Sequence, residues 1–297
     1  MVENVRKAAV FIGLTYFVSY SLANLYLALG GRWVLPGSLI VALGYMFIPM
    51  GMAIVVQRVL YKEPIREPLG ISFKFNRWFL VAWLLPPVVA FATLGISLLF
   101  PGVQYTPEME GMYERFQSLL TPEQVEQMRS QASSFPVHPV WIALLQGLVA
   151  GITVNAVAGF GEELGWRGLL QRELGYLGFW KSSLVIGLVW GLWHAPIILQ
   201  GHNYPQHPVE GVAMMTVFTL LLSPIFSYVR LKARSVIAAA ILHGSLNGTM
   251  GLAIILIRGG DDLKVGVTGL AGFIALVLAN IGLFVFDRAW AREKIMA

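Results

Sequence analysis

Glu162 and Glu163 stand side by side in an apolar stretch, with Arg167 four residues on from Glu163: Gly161-Glu162-Glu163-Leu164-Gly165-Trp166-Arg167. An ionised carboxylate in hydrocarbon costs at least a few kcal/mol, so such a pair needs a partner, a proton or a chemical task. Two histidines, His194 and His243, also fall inside apolar runs, whereas His138, His202 and His207 fall between them, where solvated surface is the expected setting. Carboxylates and imidazoles buried in one chain can move protons, and a carboxylate beside a histidine can activate water against a carbonyl. Histidine and asparagine side chains can donate to the oxyanion that develops.

Helical spacing sorts these residues. Side chains four apart share a helix face, so Glu163 pairs with Arg167 while Glu162, turned by about 100°, points elsewhere. By the same rule Trp190 shares a face with His194, and His243 with Asn247. Ser245, between His243 and Asn247, points away from both and is a poor nucleophile candidate. At a rise of about 1.5 Å per residue, His243 and His194 lie roughly 12 and 18 Å from the start of their runs, so the three polar faces are expected to meet in the half nearer those starts.

The elements that position them are membrane helices. Of 297 residues, 57% are hydrophobic and only 12% charged. Runs long enough to cross a bilayer lie near 8–30, 35–58, 78–100, 139–160, 182–200, 209–229, 235–257 and 265–286. The expected fold is an all-α, polytopic transmembrane bundle of about eight helices forming one integral membrane domain over 1–297, with its motif region at 139–257. With the N-terminus inside, 16 Lys and Arg residues fall in inner segments and 5 in outer ones, so both termini are expected in the cytoplasm. The net charge of +5 then reflects topology and gives no support to nucleic-acid binding. The first run is too long for a signal peptide and reads as a retained helix. The chain has no cysteine, which excludes disulfides, thiolate nucleophiles and cysteine-based zinc sites.

Residues 101–138 form an external loop in this topology. Thr106-Pro107-Glu108 and Thr121-Pro122-Glu123-Gln124 each place a cap, a first-turn proline and an acid, so two short amphipathic helices are expected, as a polar cap or a lid. Pro86, Pro87, Pro196 and Pro224 fall inside spans; Pro196 follows His194 closely enough to open the backbone beside it. Gly187 and Gly191 allow close approach of another helix.

Glu162-Glu163-x-x-x-Arg167, Trp190-x-x-x-His194 and His243-x-x-x-Asn247, in that order on separate helices, resemble the CPBP family of intramembrane proteases. Its members include the type II CAAX prenyl endopeptidase, also called Ras-converting CAAX endopeptidase, and bacterial homologues tied to bacteriocin processing or self-immunity. The resemblance covers Glu162 to Asn247 and leaves the first three spans and the long loop unidentified. It implies an intramembrane endopeptidase in which Glu162 and His194 activate water, His243 and Asn247 hold the oxyanion, and Glu163 with Arg167 shapes and neutralises the site. The family's second motif often begins with Phe, where this chain has Trp190. Its members have been described both as metalloproteases and as glutamate proteases needing no metal. The metal-free form is favoured here, since the HExxH pattern is absent; if zinc is bound, its ligands are Glu162, His194 and His243. The expected partners are the bilayer and a membrane-associated protein or peptide substrate, prenylated or not, in the cell membrane of a prokaryote. The competing readings are a non-proteolytic scaffold or bacteriocin-immunity protein and, less favoured for want of paired halves, a proton-coupled transporter.

Overall fold

Long apolar segments satisfy their backbone groups internally only as helices, and the chain follows that rule. The computed structural model describes residues 2–34, 36–116, 121–134 and 136–296. Outside the described residues lie the ends of the expected 1–297 domain (Met1 and Ala297), Leu35 at the start of the expected second span, and 117–120 and Phe135 of the loop. In order, the helices are α1 (Val2–Ala28), α2 (Gly37–Ile54, prolonged by a π-helical turn Val55–Leu60), α3 (Arg77–Ser97), α4 (Glu110–Phe116), α5 (Pro122–Ser134), α6 (Pro139–Ile152), α7 (Val154–Glu163), α8 (Phe179–Trp193), α9 (Pro208–Ala233), α10 (Val236–Thr249) and α11 (Leu270–Ala289). Gln104–Tyr105 (β1) and Ile257–Arg258 (β2) pair antiparallel. Among the described residues, seven helices are long and apolar enough to cross a membrane, and an eighth span is made if the bent pair α6–α7 counts as one. The chain is an all-α polytopic membrane protein.

The expected straight span 139–160 is broken. Thr153 leaves the helical region (φ −120°, ψ −107°), and the two halves bend by 50°. The freed groups find partners: Thr153 Oγ1 donates to Val149 O at 2.7 Å, and Asn155 Nδ2 to Gly244 O on α10 at 3.3 Å. Small residues set the packing around the break. A Cβ on Gly151 would meet Ser245 Oγ at 2.5 Å, and one on Gly244 would meet Ala156 N and Gly151 O at 2.6 Å. Gly187 and Gly191 likewise bring α8 against α9, with Thr219 O 2.9 Å from the Cβ position of the first and Thr219 Oγ1 2.4 Å from that of the second.

In the loop, α5 begins as its sequence suggests. Thr121 and Gln124 form a reciprocal cap, backbone to side chain both ways at 2.9 and 3.4 Å. The other helix starts later than expected. Thr106 is held to Leu256 O by its backbone N–H, Met109 turns to φ 61°, and α4 opens only at Glu110. The two ends of the bundle differ in character. One end carries the basic connections 61–76 and 234–235 and the uncharged turn 174–178; the other carries 98–138, 199–207 and 250–269.

Candidate active site

Glu163 is the last α-helical residue of α7; Leu164–Leu170 continue as a π-helical turn, a distortion found often at functional sites. The helix there packs tightly on α1 and α2, since a Cβ on Gly165 would meet Phe11 Cζ and Pro49 Cβ at 2.8 Å. Both carboxylates and Arg167 are buried. Arg167 Nη1 reaches Glu163 at 3.3 and 3.2 Å, as helical spacing predicts, and Nη2 donates to Ser223 Oγ at 3.3 Å. The guanidinium lies over the rings of Trp190 at 4.4 Å and Phe226 at 4.7 Å, which offsets part of its lost hydration.

Glu163 has a second duty that spacing did not reveal. His243 Nδ1 lies 2.9 Å from Glu163 Oε1, so the ring donates through Nδ1–H and is held at a fixed angle. Its Nε2 is then turned toward Glu162 Oε1, 3.8 Å away. The expectation that Glu163, with Arg167, shapes and neutralises the site and is also placed to contact substrate did not include this contact: Glu163 holds the third motif's histidine as well. Close approach of α7 and α10 makes this contact, because Gly159 would place a Cβ 3.0 Å from His243 Cβ. Gly159 and Gly244 were the sequence signal for it.

Trp190 also does more than supply an aromatic ring. Its Nε1 donates to Glu162 Oε2 at 2.8 Å, a bond that Phe cannot make. His194 is the C-cap of α8, and its Nδ1 lies 2.8 Å from Trp190 O. A carbonyl only accepts, so Nδ1 carries the proton, and in the neutral form of the ring Nε2 is a lone pair. Pro196 has no N–H for Leu192 O, and Ile197 N turns back to His194 O, leaving Trp193 O free as well. Tyr20 and Tyr45 hydroxyls satisfy these two carbonyls at 2.7 Å. Pro196 thus opens the backbone beside His194, as its position suggests, and α1 and α2 close it again.

Glu162, Trp190, His194, His243 and Asn247 line one cavity of about 200 Å³. The motif residues are brought together there, although Glu162 and His194 make no direct bond. Ser245 is buried on another face of α10 beside Gly151 and takes no part. The depth expectation fails in one respect. The cavity is also lined by Ala42, Met46, Asn203 and Met250, so it reaches toward the end of the bundle away from the basic connections. The shortness of α10, which ends at Thr249, explains this.

His202 corrects another expectation. It is half-buried, lines the cavity and meets the Trp33 ring edge-on at 5.3 Å rather than standing free in solvent. His207 is not free either: its Nδ1 lies 2.6 Å from Asp262 Oδ1. His138 is exposed as expected, and caps α6 by accepting from Val140 N.

The donor set expected for zinc does not close. Three ligands of one zinc ion lie roughly 3 to 4 Å apart. Among the described residues, the set with donor atoms within 4.8 Å of one another is His207, Asp261 and Asp262, not Glu162, His194 and His243. Glu163 holds His243 Nδ1–H and so leaves Nε2 available; what keeps the three site residues, as arranged, from closing on a metal is the spacing of their donor atoms.

Residues 137–249 match the family described as type II CAAX prenyl endopeptidase Rce1-like. The CAAX prenyl protease 2 of Methanococcus maripaludis is 30% identical over 141 residues, which is 45% of this chain and 48% of that protein. The chain thus matches about half the length of this curated relative. The family match spans α6 to α10, the helices that supply every motif residue. The resemblance carried by the three motifs is borne out: residues 137–249 have the sequence of the Rce1-like type II CAAX prenyl endopeptidase family.

Proposed function

We propose that the protein is an intramembrane endopeptidase, acting as one membrane domain over 1–297, that hydrolyses a peptide bond of a membrane-associated protein or peptide. The observation that carries this reading is that Glu162 and His194 line one cavity, with Glu162 Oε1 3.8 Å from His243 Nε2 and His194 Nδ1 held by Trp190 O. Glu162 takes a proton from water held also by His194, and the water oxygen bonds to the scissile carbonyl carbon. The carbonyl electron pair moves to oxygen, where Asn247 and a doubly protonated His243, donating through Nε2–H while Glu163 holds its Nδ1–H, stabilise it. Collapse breaks the C–N bond as Glu162 returns its proton to the leaving amine. No metal enters this scheme.

The excess of Lys and Arg in the inner segments as a whole, 16 against 5, supports cytoplasmic termini; the membrane we propose is the cell membrane of a prokaryote. That orientation opens the cavity on the opposite side, where a membrane-anchored peptide reaches it more directly than a cytosolic tail does. The relative's name supplies the other substrate to try, a prenylated CAAX peptide. Purified protein in liposomes is expected to cleave at least one of these peptides, and Glu162→Gln to cleave neither. Chelation is expected to leave the rate unchanged; loss restored by zinc would overturn the metal-free scheme.

A further inference from the structure

The cavity holding Glu162 and His194 adjoins a larger space. Asn203 and Met250 line both it and a vestibule of about 690 Å³ bounded by α4, the 203–206 turn and the 259–268 segment. That volume is within the range of pockets that hold organic ligands. Its wall mixes polar and apolar groups, and its charges are matched. Glu114 pairs with Arg258 at 2.5 Å, Asp261 with Lys264 at 2.7 Å and Asp262 with His207 at 2.6 Å, while Arg115 donates to the carbonyls of Gly111, Ile257 and Gly259. A wall so neutralised selects little by charge.

The neck is different. Asn203 sits at φ 60°, half-buried, and its side-chain amide has no hydrogen-bond partner among the described residues. The turn that carries it is fixed from both sides: Tyr204, fully buried, donates to Thr268 O at 2.8 Å, and Gln200 donates to Ala23 O at 3.2 Å. An amide with a free donor and a free acceptor, held where the cavity meets the vestibule, matches the N–H and C=O of an extended peptide.

We propose that the vestibule is the binding site for the polar segment of the substrate, whose backbone Asn203 engages as it passes the neck beside Met250 to the scissile bond. This rests on the endopeptidase reading for the bond being cut, but not for the segment being bound. The polar segment lies in water between paired charges, and the apolar segment stays in the bilayer.

The absence of native cysteine makes the test clean. Asn203→Cys and Met250→Cys, in liposomes, are expected to react with a charged, water-soluble thiosulfonate, and the adduct on Met250→Cys to abolish cleavage. Neither position reacting from either side of the membrane would overturn the proposal. In a second experiment, Glu162→Gln/Gln206→Cys is mixed with synthetic peptides having an apolar anchor and a polar tail, one cysteine in either part activated as a thiopyridyl disulfide, so that attack by the protein thiolate releases thiopyridone. A disulfide is expected with the tail cysteine and not with the anchor cysteine. A peptide cleaved by the parent protein that traps through its anchor, or not at all, sinks the vestibule while leaving the endopeptidase intact. A tail disulfide from a peptide that the parent never cleaves keeps the vestibule and counts against the endopeptidase.

Discussion

Two of the buried charge clusters among the described residues make a contrast, since only one of the two faces a cavity assigned to catalysis. Near the basic connections, Lys7 Nζ reaches Glu63 at 3.0 Å and Glu173 at 3.3 Å, while Arg172 closes on Glu63 at 2.8 Å. Gln57 adds a hydrogen bond to Glu63 at 3.0 Å, and Lys7 also lies over the Tyr61 ring. Two acids face two bases, and together they tie α1 to the turn after α2 and to the end of the α7 segment. At the motif site, two acids face one arginine and a histidine. Glu163 takes both of those as direct partners, so Glu162 keeps an oxygen turned toward the cavity. Burial of charge alone is therefore no mark of chemistry. A carboxylate becomes a candidate catalyst when its neighbour has already used the available cations.

The largest expected effect separates the clusters. Glu162→Gln is isosteric and can still accept from Trp190, so it should unfold at nearly the parent temperature in detergent. Its turnover should fall on the order of 10² to 10⁴-fold, the span of a lost general base. Retained turnover would break the comparison at once.

Lys7→Met should do the reverse. It leaves Glu173 buried without its main cation, and because Glu63 is about one-third exposed the cost is discounted to about 2 kcal/mol, below that of a fully buried pair. Thermal unfolding should come earlier while kcat per folded molecule holds. A lost kcat with unchanged stability would mean that the structural cluster reaches the chemistry.

How much of this was legible beforehand differs between the same regions. The spans, the three motifs and the Glu163–Arg167 pair follow from hydropathy and helical spacing, which are local. The Lys7 cluster joins residues more than 160 positions apart, and no periodicity announces it. The break at Thr153 was hidden for a related reason: an uninterrupted apolar run reads as one straight helix, and only packing of Gly151 and Gly244 against α10 and α6–α7 bends it. His202 was misjudged because a loop residue between spans defaults to solvent, whereas Tyr204 and Gln200 fold this loop back over the cavity.

Trp190→Phe sharpens the comparison within the site. It removes one charge-assisted bond to Glu162 and keeps a ring beneath Arg167. A bond of that kind contributes about 1.5 kcal/mol, so kcat should change by roughly tenfold with KM little altered. An unchanged kcat would show that Glu162 is placed by its helix alone.

The smallest effect belongs to the vestibule. The Asp262 carboxylate beside His207 raises the pKa of the imidazole above its ordinary value, against the weaker opposing pull of desolvation. A group whose folded pKa is raised contributes its stability fully below the unfolded value, near about 6.5, and loses it as pH climbs through the folded value. The clamp between the 199–207 turn and the 259–268 segment should therefore loosen on the alkaline side. Labelling of Asn203→Cys by a thiosulfonate, corrected for reagent reactivity with a free-thiol standard, should quicken slightly from about pH 6 to about pH 9. His207→Gln should label at the faster rate throughout. A His207→Gln profile that still rises as the parent's does would detach the neck from this ion pair and leave Tyr204 and Gln200 as its anchors.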